Sequence, residues 1–282
     1  MHKITEKERL NEEMTRIEVE APLVADKIKP GQFIVIRMHE KGERVPLTFY
    51  KKDKEKGTVQ MIFQKVGKST TELDTYEEGD ELLDVVGPMG TAADIEDYGT
   101  VVCIGGGVGT PEVFPVAKAL RNAGNEVIVI SGFRTEDLVV CESDFDKGCA
   151  NEIYITTDDG TYGREGFTSD VLEELIADED TSLDLVHAVG PPIMMKVIAE
   201  ITEEHDIDTR VSLNSIMLDA TGMCGSCRVE VGEQMKLACV DGPEFDAHKV
   251  NFEELMQRIT MFEEQEEEAM ERWEEENGGC CR

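Results

Sequence analysis

The sequence predicts a fold class that joins all-β to α/β structure: an N-terminal antiparallel barrel, a parallel-sheet domain with covering helices, and a small C-terminal module built around cysteines. Three observations carry this. Up to Val86, short β-type segments alternate with turn residues at close spacing, the pattern of a small barrel. After Gly87-Pro88-Met89-Gly90 strands and helical stretches begin to alternate, as in an open parallel sheet. Near the end, Asp219, Cys224, Cys227 and Cys239 are spaced D-x4-C-x2-C-x11-C.

The barrel is expected over residues 1–95, with strands at 14–20, 32–37, 47–50 and 58–63. The α/β domain follows over 96–208. Its strand at 100–104 leads through a glycine run into a helix at 113–122 and directly on to a strand at 126–130, which is one βαβ unit. Segments at 151–156, 169–177, 183–189 and 192–202 extend the alternation. The cysteine module is expected over 209–250 and an acidic helix with a frayed tail over 251–282, the helix spanning 252–276.

The chain has 282 residues, enough for two or three domains. Its 61 acidic residues against 28 basic ones give a formal charge of -33, which argues against nucleic acid or an anionic membrane as partner. The surplus suits a protein kept in solution in a salt-rich cytoplasm. No apolar run is long enough to cross a bilayer. The first residues, Met1-His2-Lys3-Ile4-Thr5-Glu6, form no apolar signal core. A cytoplasmic location with reduced thiols is therefore expected.

The cysteine spacing has a chemical logic. A tight Gly-containing turn, Cys224-Gly225-Ser226-Cys227, projects two thiolates, and Cys239 returns from the following strand. Such a loop can surround an iron-sulfur core, with the Asp219 carboxylate in the fourth place. The competing assignment is structural zinc, which favours two paired knuckles of Cys and His. Here the second half offers a single Cys, and His248 lies further on. His248 is expected beside the loop. Cys103 reads as strand core, Cys141 and Cys149 as loop thiols, His187 as a hydrogen-bonded core residue, and the adjacent Cys280 and Cys281 as a tolerated terminal sequence.

In Gly105-Gly106-Gly107-Val108-Gly109-Thr110-Pro111, bare backbone can approach a pyrophosphate while the next helix aims its N-terminal N–H groups at it. Thr110 suits the N-cap and Pro111 the first turn. Because Thr110 fills the last glycine position of G-x-G-x-x-G, the loop alone suggests a dinucleotide without specifying it. A second cluster at Asp158-Asp159-Gly160-Thr161-Tyr162-Gly163 and a helix start at Gly190-Pro191-Pro192 strengthen the suggestion. Arg134 is a candidate for a 2′-phosphate. In the barrel, Arg44-Val45-Pro46-Leu47-Thr48 offers a guanidinium, a rigid turn and a hydroxyl together, and Gly67-Lys68-Ser69-Thr70 offers further donors.

This order of motifs resembles the ferredoxin-NADP reductase superfamily. Within it, residues 1 to about 255 resemble the electron-transfer subunits of dihydroorotate dehydrogenase and, more closely, the small subunits of NADH-dependent reduced ferredoxin:NADP oxidoreductase, also described as sulfide dehydrogenase subunits. Asp219 as first ligand matches the latter, whereas the dihydroorotate-linked relatives carry Cys there. The resemblance implies that Arg44, Pro46, Leu47 and Thr48 bind FAD, with Gly67, Ser69 and Thr70 on its pyrophosphate side. It implies that Gly105, Gly106, Gly107, Gly109 and Thr110, with Gly190 and Pro191, admit NAD(H) or NADP(H). Asp219, Cys224, Cys227 and Cys239 would hold a 2Fe-2S cluster. No acid-base triad is implied. The cluster would exchange electrons with a larger flavin and iron-sulfur catalytic subunit, and with ferredoxin through that complex. Two places depart from the pattern: Pro111-Glu112 stand where Ala-Pro is usual, and Val189 where many members have Cys. A carboxylate at 112 would repel a phosphate unless it points outward. The expected activity is thus an electron relay in a bifurcating oxidoreductase. The alternatives are the same relay serving dihydroorotate or sulfide oxidation, and a non-catalytic nucleotide-binding module with zinc.

Overall fold

The computed structural model describes residues 1–179 and 181–277; Cys280 and Cys281 lie outside this set. Seven strands form the N-terminal unit: β1 (His2–Arg9), β2 (Met14–Glu20), β3 (Phe33–Arg37), β4 (Val45–Asp53), β5 (Thr58–Gln64), β6 (Glu81–Leu82) and β7 (Asp84–Met89). They pair antiparallel in the order β6-β1-β2-β5-β4-β3-β7 and roll into a nearly closed barrel. Alternation explains its interior. Ile17 and Val19 on β2 oppose Met61 and Val59 on β5, and all four are buried together with Ile34, Ile36 and Phe63. Helix α1 (Pro22–Lys27) inserts Val24 and Ala25 into this core, and α2 (Lys68–Leu73) inserts Leu73.

The second sheet runs β11 (Arg164–Glu165), β10 (Glu152–Thr157), β9 (Glu126–Phe133), β8 (Thr100–Gly106), β12 (Leu185–Val189), β13 (Thr209–Ser212) and β16 (Glu244–Asp246). All neighbours are parallel except β16. Central β8 is buried on both faces, as a parallel strand between helix layers requires: Val101, Val102, Cys103 and Ile104 are all fully buried. One face carries α3 (Gly109–Asn122) and α4 (Glu142–Gly148); the other carries α5 (Thr168–Ala177) and α6 (Pro192–Glu204).

The cysteine stretch is sewn into this sheet. β13 continues the parallel order beside β12, and β16 returns antiparallel to it with Ser212 opposite Glu244. Between them lie the cysteine loop, the hairpin β14 (Arg228–Val231) and β15 (Gln234–Leu237), and the short helix α7 (Ala238–Asp241). The barrel meets this module where the Thr91 backbone N–H donates to the Gly242 carbonyl at 2.6 Å and the Thr91 hydroxyl to the Val240 carbonyl at 3.1 Å.

The C-terminal stretch is two helices rather than one. α8 (Phe252–Ile259) is capped by Asn251, whose side chain accepts from the Glu254 N–H at 3.0 Å, and it buries Phe252 and Leu255. α9 (Glu263–Glu276) buries no residue and lies against α2. Only the first half of the acidic stretch has an apolar face to pack, so the helix breaks at Thr260. Among the described residues no helix is long and apolar enough to cross a membrane.

Candidate functional site

The glycine loop and the Gly190-Pro191 turn meet at the C-terminal ends of β8 and β12. The reason is steric. A Cβ on Gly105 would stand 2.4 Å from the Thr110 Cα, on Gly106 2.5 Å from the Met194 sulfur, on Gly109 2.2 Å from the Val189 carbonyl oxygen, and on Gly190 2.4 Å from the Met194 methyl. These four glycines therefore let two helix starts close on two strand ends. Gly107 differs: its φ is +56° and nothing lies within 4 Å of its Cβ direction, so it faces open space. α3 begins at Gly109, with Val108 as the preceding residue. The expected N-cap role of Thr110 is thus corrected: it lies inside the first turn, and its buried hydroxyl has no partner. A buried orphan hydroxyl beside open glycine backbone fits a polar group arriving from outside.

On the barrel side, Arg44 is exposed, while Pro46, Leu47 and Thr48 are half-buried on β4. β4 is held against α3 by an aromatic contact between Tyr50 and Phe114, 4.9 Å between ring centres. Lys51 reaches across to Asp144 at 2.7 Å, and the Tyr50 hydroxyl bonds the same carboxylate. The barrel's R-x-P-L-T segment and the glycine loop thus share one seam. Glu112 lies in it. It is half-buried there; burial pushes its carboxyl up to about 7, and the neighbouring Thr48 hydroxyl draws it down.

Two of the expected donors have other work. The Thr70 hydroxyl accepts from the Val66 and Gly67 backbone N–H groups at 3.1 and 3.2 Å, and the Ser69 hydroxyl bonds Glu43. Gly67 has nothing within 4 Å of its Cβ direction, which leaves an open cradle at this edge. Arg134 pairs with Glu13 across the two units. His187 is buried and bonds Glu244 at 2.9 Å, as expected of a core residue. His248 bonds the Thr202 hydroxyl at 3.0 Å, on α6.

In that loop the Cys227 and Cys239 sulfurs are 3.2 Å apart and buried, whereas Cys224 is exposed with its sulfur 3.2 Å from the Ser226 hydroxyl. Burial and the facing Cys227 push the Cys239 thiol up to about 12; hydrogen bonds from Ser226 draw the Cys224 thiol down. The Asp219 carboxylate is bonded by the Thr221 hydroxyl and lies within the field of Arg44, both of which hold its pKa down. Positive φ at Ala220, Gly222 and Gly225 curls the loop. Arg258 on α8 clamps it by donating to the Ser226 carbonyl at 2.9 Å. Among the described residues no three such side chains already converge on one point. Cys239 comes not from a strand, as the sequence suggested, but from the first turn of α7 after the hairpin; the donor set, a carboxylate and two thiols on the loop with a third thiol from α7, has the chemistry for an iron-sulfur core.

Comparison with known proteins gives these regions family relationships. Residues 1–93 match the oxidoreductase FAD-binding domain, and residues 214–251 match the iron-sulfur cluster binding domain of dihydroorotate dehydrogenase B. A Thermotoga maritima homologue of the dihydroorotate dehydrogenase B (NAD(+)) electron transfer subunit is 42% identical over 97% of this chain and 95% of its own. The corresponding subunit of Geobacillus thermodenitrificans is 34% identical over 81% and 89%. A chain of the NADH-dependent reduced ferredoxin-NADP oxidoreductase structure, studied for flavin-based electron bifurcation, superposes with a TM-score of 0.91 at 42% identity, covering 97% of this chain and 98% of that one.

Proposed function

This chain belongs to the family of the dihydroorotate dehydrogenase B electron transfer subunits, a ferredoxin-NADP reductase-like family of flavoprotein oxidoreductase subunits, and on that premise we propose that it relays electrons in a bifurcating NADH-dependent ferredoxin:NADP oxidoreductase. The likeness at TM-score 0.91 over nearly the whole of both chains carries this reading. Asp219 at the head of the cysteine loop supports it.

FAD held on the barrel would supply two-electron chemistry with a nicotinamide and one-electron chemistry with a 2Fe-2S cluster, while the residues of this chain would set distance, orientation and potential. In this reading Thr48, Leu47 and Pro46 line the flavin ring and Arg44 neutralises its pyrophosphate, with the open edge at Gly67, Ser69 and Thr70 beside it. Gly107 and the orphan Thr110 hydroxyl receive NAD(H) or NADP(H) next to Gly190 and Pro191. Asp219, Cys224, Cys227 and Cys239 hold the cluster. Leu218, Met223 and Val240 are large apolar side chains exposed around that loop, which suits docking of a larger catalytic subunit. Ferredoxin is reached through that subunit. Reduced thiols in the loop suit a cytoplasmic location.

Dihydroorotate oxidation is the second reading, favoured by the family match over 214–251. The partner that copurifies separates the two: a large flavin and multi-cluster subunit supports the first, a dihydroorotate-oxidising barrel enzyme the second. The relay itself is tested by anaerobic NADH titration followed by low-temperature electron paramagnetic resonance. Flavin bleaching with a reduced 2Fe-2S signal is expected; zinc in place of iron would sink the relay.

A further inference from the structure

Arg134 stands at the outer end of the nucleotide edge, and the fold gives it a partner from the other unit. The Gly107 N–H donates to the Gly132 carbonyl at 2.8 Å, so the open glycine and the end of β9 touch, and Arg134 follows just beyond Gly132. Beside it lies a cleft of about 680 Å³, between the segment after β9 and the turn that joins β1 to β2. Among the described residues that line this cleft, Arg134 is the one cation, set against the carboxylates of Glu12, Glu13 and Asp137. Glu13 is held on three sides. One of its carboxylate oxygens accepts from the Arg134 guanidinium at 2.5 Å and the other from the Gln64 amide at 2.6 Å, while its carbonyl accepts from the Lys65 N–H at 2.9 Å. Asn11 stiffens the turn: its side chain accepts from the Glu13 and Met14 N–H groups at 2.9 and 2.7 Å. Arg134 is nonetheless exposed, so another anion can reach it.

We propose that Glu13 determines which nicotinamide dinucleotide the chain accepts: by occupying Arg134 it refuses a ribose that carries a 2′-phosphate and admits one with a free 2′-hydroxyl. The inference rests on the reading that NAD(H) or NADP(H) lies along the glycine loop. In an open parallel sheet the dinucleotide lies beyond the carboxyl ends of the strands, and the groups that follow the second strand of the βαβ unit meet the adenosine ribose; an acid there bonds the 2′-hydroxyl, an arginine the 2′-phosphate. β9 is that second strand, and both chemistries stand at its end. The competition between them is electrostatic. A 2′-phosphate could take the guanidinium only by displacing Glu13, which would leave an unpaired carboxylate against a second anion, with Glu12 and Asp137 close by. A 2′-hydroxyl brings no charge and can donate to a free lone pair of the Glu13 carboxylate while Arg134 stays paired.

The test is the anaerobic rate of flavin bleaching in the purified full chain, followed against the concentration of NADH and of NADPH, with flavin content read first by absorbance. Wild type, Glu13→Gln and the double variant Glu13→Gln/Arg134→Ala are compared. Glu13→Gln keeps an oxygen for Gln64 and gives up the charge. Its half-saturating NADPH concentration is expected to fall about tenfold at an unaltered limiting rate, while that for NADH rises, the amide being the weaker acceptor. Removing Arg134 as well should abolish the gain for NADPH. Glu13→Asp keeps the charge but withdraws it by one methylene, and a smaller gain of the same sign is expected; this comparison stands even if Glu13→Gln misfolds. A ratio between the two nucleotides that neither Glu13 variant moves, or a gain that survives the loss of Arg134, overturns the role of Glu13. A wild-type flavin that neither nucleotide bleaches overturns the reading of the glycine loop and this inference with it, a failure visible before any variant is made.

Discussion

Two of the molecule's glycine-bearing turns, the one between β8 and α3 and the cysteine loop, use their glycines to opposite ends. In the loop after β8, Cβ atoms on Gly105, Gly106 and Gly109 would come within 2.2 to 2.5 Å of neighbouring atoms; bareness there is a packing requirement, and Gly107 alone opens outward. In the cysteine loop, a Cβ on Gly225 would have nothing within 4 Å and one on Gly222 would meet side chains, Val240 at 2.7 Å and Leu237 at 3.8 Å; bareness there provides positive φ. One loop is a cradle closed by its own fold. The other is a curl with two thiols together and a third apart, so its final shape waits on what it binds.

That contrast can be broken by substitution. The largest effect is expected of Cys227→Ala, which removes one of the two buried sulfurs of the cysteine module: iron content should fall to background while FAD absorbance persists, because Pro46, Leu47 and Thr48 lie on β4, away from the cysteines. Loss of flavin together with iron would show the two sites to be one folding unit. Next, Gly109→Ala drives a methyl into the Val189 carbonyl and should cost about 1–3 kcal/mol or more in urea unfolding, with weaker nucleotide binding and unchanged iron. Smallest, Gly225→Ala meets no atom but keeps φ at +68°, a strain of about 1–2 kcal/mol; its iron content should hold while the loop opens more readily to chelators. If Gly225→Ala proved costlier than Gly109→Ala, the division between packed and curled glycines would be wrong.

Strands rich in β-branched and apolar residues were legible: Met14–Glu20 is found where expected, with Met14, Ile17 and Val19 buried. β1 was not, since in His2–Arg9 only Ile4 is fully buried and the rest reads as a charged lead-in. The cysteine spacing was legible because its chemistry is local. The seam was not. Glu112 and Thr48 become neighbours through packing between separate units, and nothing in the local pattern tells that a first-turn carboxylate will lie beside a barrel hydroxyl. The bond from His248 to Thr202 on α6 was equally out of reach, since the two residues lie far apart in the chain. The sheet also took in β13 and β16, whose short runs carry no sign of belonging to a parallel neighbour.

The pairing of Ser212 with Glu244 places the two ends of the cysteine stretch side by side across one sheet edge. Such an arrangement is that of a cassette: a segment that enters and leaves through adjacent doors can be exchanged without redrawing the building. The cassette is nonetheless glued in: its Ala220, Cys227, Val229, Ala238 and Cys239 share one core with Phe33 and Val35 of β3, so a different loop grafted between the same strands would have to bring the same apolar underside.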